Sequence, residues 1–107
     1  MQKDHIKDFD RLNKECFWEY QFDEKDILHI LNEGTFAEKL FLYEKILANS
    51  TDLLNDMELF SLEDLQRLTE YYKIPTFNKE YLKRRKNILE CYFFNKPLEV
   101  EELKWVA

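Results

Sequence analysis

Glycine is almost missing from this chain. Gly34 is the only one in 107 residues, and proline occurs twice, at Pro75 and Pro97. A β-sandwich or barrel needs frequent turn residues between short strands, so so few turn formers argue against both. A glycine-rich phosphate cradle cannot be built from one glycine either. The two cysteines, Cys16 and Cys91, are too few and too far apart for a disulfide framework or a cysteine zinc site. The two histidines, His5 and His29, stand in no catalytic or metal-binding motif. No run of apolar residues approaches the length of a membrane span. The first residues, MQKDHIKDFDRL, lack the apolar centre of a signal peptide. The acids at Asp8-x-Asp10 and Asp23-Glu24-x-Asp26 lack the glycine and the spaced glutamate of a calcium loop, and read as negative charge at helix starts. The expectation is a soluble, reduced, cytoplasmic protein that is not an enzyme and needs no metal or cofactor.

What is abundant is helical. Charged residues make up 36% of the chain, mostly in the mixed-sign runs of solvated helix faces, and aromatics reach 16%, enough for a ring-rich core. Residues 3–15 place Ile6, Phe9 and Leu12 on one side and read as a short helix or a loosely docked arm over 1–16. Asp23 caps a helix of about ten residues with Ile27, Leu28, Ile30 and Leu31 inward, His29 outward and Gly34 as its stop. Thr35 and Glu38 form a capping box. The helix that follows carries apolar residues most of the way round, from Phe36 to Ala48, and is expected at the centre of the bundle. Asn49 to Asp52 signals a turn, and Leu53, Leu54 and Met57 face inward from a short helix over 53–59.

Two further helices occupy Ser61 to Asn95, separated by an extended break at Lys73 to Asn78 that Pro75 enforces. Ser61 is an N-cap, and Leu62, Leu65, Leu68 and Tyr72 share one face. Asn78 is the expected next cap, and Tyr81, Leu82, Ile88, Leu89, Tyr92 and Phe93 form the second apolar stripe. Leu103 and Trp105 are expected to dock a C-terminal tail over 96–107. The fold class is therefore all-α: a single domain over 1–107, a small bundle of about five to six helices with a central apolar helix near 36–48.

Two segments carry the candidate sites. Phe17, Trp18, Tyr20 and Phe22 either plug one end of the core or form a protein-binding patch, since Trp and Tyr are favoured interface anchors. Lys79, Lys83, Arg84, Arg85 and Lys86 make a basic helix in an acidic protein. Residues 73–96 hold seven Lys/Arg against two Glu, a local +5 within a chain of net charge −6, which leaves −11 for the rest. An acidic body argues against broad nucleic-acid binding but leaves a local contact open. Arg85 points into the apolar stripe. It either snorkels or meets an acid from another helix, or it lies beneath a partner surface or ligand pocket.

Two resemblances follow from these residues. Residues 60–94, through Leu62, Leu65, Leu68, Ile74-Pro75 and the basic helix, resemble a SAP-like helix–extended-loop–helix unit, with Thr76-Phe77-Asn78 where such units carry a glycine-containing loop. That implies DNA contact or autoregulation. The order Phe17-Trp18-Glu19-Tyr20, Gly34, Leu42-Tyr43-Glu44-Lys45-Ile46-Leu47, Asp64-Leu65, Glu70-Tyr71-Tyr72 and Arg84-Arg85-Lys86 is similar to small bacterial helical proteins encoded beside nucleotidyltransferase-like toxins of the AbiEii type. That resemblance implies an antitoxin that binds a protein partner and has no catalytic residues of its own. A scaffold or oligomerisation domain is the remaining alternative.

Overall fold

Thr35 accepts a hydrogen bond from the Glu38 amide at 3.2 Å, and the Glu38 carboxylate accepts from the Thr35 amide at 2.9 Å. This closed box starts the helix that every other helix touches. The computed structural model describes residues 5–96. Six helices run in chain order: α1 (Phe9–Cys16), α2 (Glu24–Glu33), α3 (Phe36–Asn49), α4 (Leu53–Met57), α5 (Leu62–Tyr71) and α6 (Lys79–Phe94). The described residues contain no strand. α3 contacts α1, α2, α4, α5 and α6, as its all-round apolar surface leads one to expect. Its Leu42, Tyr43, Ile46 and Leu47 are fully buried in one continuous core with Leu12, Phe17, Ile27, Met57, Leu65, Leu68 and Leu89. The Tyr43 hydroxyl donates to Thr69 of α5 at 3.1 Å, so the one hydroxyl taken deepest into the core has a partner.

A nearly glycine-free chain needs other residues where the backbone turns left-handed. Asp8, Asn78 and Asn95 take that conformation, with φ of 58°, 57° and 58°. Asp and Asn tolerate it better than other side chains. Gly34 is not used this way, since its φ is −72°. It is needed for close approach: a Cβ there would lie 2.6 Å from the Ile30 carbonyl oxygen and 2.8 Å from the Ile30 Cα.

Several expectations require correction. Residues 6–16 do not form a loose arm, because Ile6, Leu12 and Cys16 are buried against the core. α1 begins at Phe9, later than the sequence suggests. Leu62 is 59% exposed, and its place on the buried face of α5 is taken by Thr69. Tyr81 and Tyr92 are exposed, while Asn87 is buried within the α6 stripe. Asn78 occupies the cap position without a side-chain hydrogen bond. The expected docking of Leu103 and Trp105 lies outside the described residues.

Among the described residues Arg85 pairs with no acid. Its Nε donates to the Leu47 carbonyl and its Nη2 to the Ser50 carbonyl, while the guanidinium lies over the Tyr81 ring at 5.3 Å. The Tyr81 hydroxyl donates to the Ala48 carbonyl at 3.1 Å. The last carbonyls of any helix lack intrahelical partners and carry partial negative charge. α3 has no basic residue in its last turn, so α6 supplies the cation and three donors from across the bundle.

A second arginine holds the same junction from the other side. Arg11 of α1 donates to Asp56 at 2.6 Å and to Asp8 at 2.9 Å, and also pairs with Glu15. The hydrogen bond to Asp56 raises the pKa of Arg11 further above its ordinary value. Asp56, itself buried, also accepts from the Ser50 hydroxyl. Glu15 accepts from the Thr51 amide at 3.1 Å and the Thr51 hydroxyl at 2.6 Å. The segment from Leu47 to Asp56 is thus clamped between α1 and α6.

Two measurements test this clamp. Arg85→Ala should cost about 2–3 kcal/mol in chemical denaturation, because it strips charge-assisted donors from half-buried carbonyls. Arg85→Lys should recover only part of that, since a single ammonium lacks the planar fork. The hydrogen bonds from Thr51 lower the pKa of Glu15. A depressed carboxylate stabilises the fold above its ordinary pKa, and that contribution is lost as pH falls through the folded value. Glu15→Gln should therefore be less stable than the parent at neutral pH, with the gap closing in acid. A gap independent of pH would contradict the assignment.

Candidate functional site

The segment between α1 and α2 folds as a tight turn, closed by the Tyr20 amide donating to the Phe17 carbonyl at 2.9 Å. Its four candidate aromatics part company. Phe17 is fully buried, and its ring meets Phe22 edge-on at 5.8 Å and Phe41 of α3 at 6.5 Å. Tyr20 stacks on Phe22 at 5.5 Å and meets Phe41 at 5.2 Å. Lys45 lies over Tyr20 at 5.6 Å and over Phe41 at 5.8 Å. Trp18, at a corner of the turn, is 70% exposed. Three rings therefore close the end of the core, and the fourth, Trp18, stands outside it. Edge and stacked ring packing of this kind fixes orientation as well as burying area. The sequence signal for the platform was available in the i, i+4 spacing of Phe41 and Lys45 on α3, but nothing in the chain ties those positions to residues 17–22.

The basic run also divides. Lys79, Lys83 and Lys86 line one cavity of about 340 Å³, joined by Lys96 from beyond α6 and by Ile74 from the break before it. Arg84 is exposed. Arg85 is turned inward to the end of α3. The five residues named from sequence thus do not form one surface. Sequence reasoning missed Lys96, which reaches the cavity because Asn95 ends α6 in a left-handed turn.

A second depression, about 410 Å³, lies over the α1–α4 junction and mixes Lys7, Asp8 and Arg11 with Asp52, Asp56 and Glu58. Its innermost charges, Arg11 and Asp56, are already committed to each other. The side chain of His5 is 74% exposed and lies 3.3 Å from Glu24, and that of His29 is 66% exposed and lies 3.3 Å from Glu33. Among the described residues no group of three His, Cys, Asp or Glu side chains is placed to hold a metal ion. None of the described helices is long and apolar enough to cross a membrane.

Of the two thiols, Cys16 is buried and Cys91 half-buried. Burial, with a further push from Asp56, raises the Cys16 thiol to about 12. Comparison with models of protein families, with curated proteins and with solved structures gives no match.

The two thiols should separate in labelling. At pH 8 iodoacetamide should modify Cys91 first, and Cys16 only at the rate of unfolding, because a thiol held up to about 12 presents almost no thiolate. Equal labelling rates in the native protein, followed by mass spectrometry, would show that Cys16 is not sealed.

Proposed function

We propose that this chain is a protein-binding module without chemistry of its own, acting in the cytoplasm as the antitoxin partner of a nucleotidyltransferase-like toxin. The observation that carries the reading is the presentation of Trp18. Its ring is 70% exposed and belongs to a turn whose other rings, Phe17, Tyr20 and Phe22, are packed on one another and against Phe41. A turn fixed by such packing has little backbone freedom to lose on binding, which favours the aromatic it carries as an anchor. Glu19 follows it directly, and Asp23, Glu24 and Asp26 open the next helix, so an acidic stretch follows the anchor along the chain. Nucleotidyltransferase clefts that accept anionic nucleotides tend to be basic, and an acidic stretch beside the anchor in sequence suits them. The resemblance of residues 17–86 to antitoxin-like proteins supports the same partner.

Co-purification with the product of the adjacent gene tests the reading. The parent chain should bind and inhibit it. Trp18→Ala should weaken binding by about 30-fold, the loss of one interface hot spot, with an unchanged melting temperature. Phe17→Ala should instead lower the melting temperature, because that ring belongs to the core. Undiminished binding by Trp18→Ala, or a toxin that neither binds nor is inhibited, would refute the proposal.

A further inference from the structure

The lysine cavity lies on α6 and its flanks, away from the aromatic turn in sequence, and its occupant is a separate matter from the protein partner. Lys79, Lys83 and Lys86 fall at i, i+4 and i+7, so their ammonium groups rise from one face of α6. Like charges at this spacing repel, and Lys79, one turn before Lys83, also sits in the first turn of the helix, where its dipole disfavours cations. Neither has a carboxylate partner among the described residues, although the chain carries 22 acids. The one acid in the cavity wall, Glu90, is engaged by Lys96 at 3.6 Å. Lys86 is steadied by the Tyr72 carbonyl at 3.5 Å, which draws its ammonium toward the α5 side. The lysines line a concavity of about 340 Å³, within the size range of small-ligand sites, and not an open ridge.

We propose that this cavity binds a small ligand carrying two or more phosphate groups. Lysine ammonium groups act as compact point charges toward phosphate oxygens, and three converging on one cavity match a multiply charged anion. The scale of the basic patch selects for size. From Lys79 to Lys86 the helix rises about 10 Å, enough for a di- or triphosphate group. A nucleic-acid duplex would extend past this patch onto a remainder of the protein that carries −11.

Sodium tripolyphosphate is the probe, titrated calorimetrically into the full chain at low salt without divalent cations. Saturable one-to-one binding is expected, weakening as salt is raised. Lys83→Ala should bind about tenfold more weakly, and the triple Lys79→Ala, Lys83→Ala, Lys86→Ala variant should lose binding altogether, with circular dichroism showing an intact fold. Lys25→Ala, an exposed lysine on α2, should bind like the parent. A folded triple variant that binds as the parent does, or a parent that gives no saturable heat, would overturn the proposal. A 20-base-pair duplex binding more tightly than tripolyphosphate, with a salt slope of more than about four phosphates, would overturn it in favour of nucleic acid.

Discussion

The end of α3 would be a weak point if α6 did not close it. The helix lies at the centre of the bundle, so its final carbonyls cannot all turn to water, and it has no basic residue of its own near them. Unmet carbonyls in such a place cost about 1–3 kcal/mol each. Ser50 meets one through its amide, Tyr81 another through its hydroxyl, and Arg85 takes two. The position of α6 against α3 is therefore set by directional bonds as well as by apolar burial through Leu82 and Leu89. Arg11 and Asp56 then fix α1 and α4 to the same place. The polar junction orients the helices, and the apolar core supplies the bulk of the driving force.

This arrangement decides which surfaces remain available. Because Arg85 is drawn inward, Lys79, Lys83 and Lys86 are left as a separate lysine face with its own cavity. Because Phe17, Tyr20 and Phe22 are drawn onto Phe41, Trp18 is left outside. In each case one stretch of sequence serves both interior and exterior, and the division follows from the neighbouring helix. The two surfaces also differ in chemistry, one an aromatic ring with acids beside it in sequence, the other a cationic hollow in an acidic protein.

Much of the secondary structure could be read directly. The caps at Asp23, Thr35 and Ser61 all hold side-chain hydrogen bonds, the break at Pro75 falls where expected, and α3 is the central helix. These features are local, and local chemistry is visible in sequence. Burial of individual positions was less legible. Leu62 lies on the periodic face of α5 but in its first turn, beyond the reach of the core, and is exposed. Thr69 and Asn87 are buried although polar, which periodicity does not register. The candidate sites were legible as segments and not as surfaces. A helical wheel could place Arg85 in the apolar stripe, but the acceptors it found are backbone carbonyls some 35 residues earlier, and a backbone carbonyl leaves no trace in side-chain identity.

The distance along the chain between Arg85 and the carbonyls it holds bears on the order of assembly. During synthesis, α3 is complete well before residue 85 is made, so its final turn must stay solvated until α6 arrives. The last carbonyls of α3 thus gain these partners only across 35 or more residues of chain. Closing a loop of that length costs more entropy than pairing neighbouring helices, so the α3–α6 contact weighs on the folding rate more than its few bonds suggest.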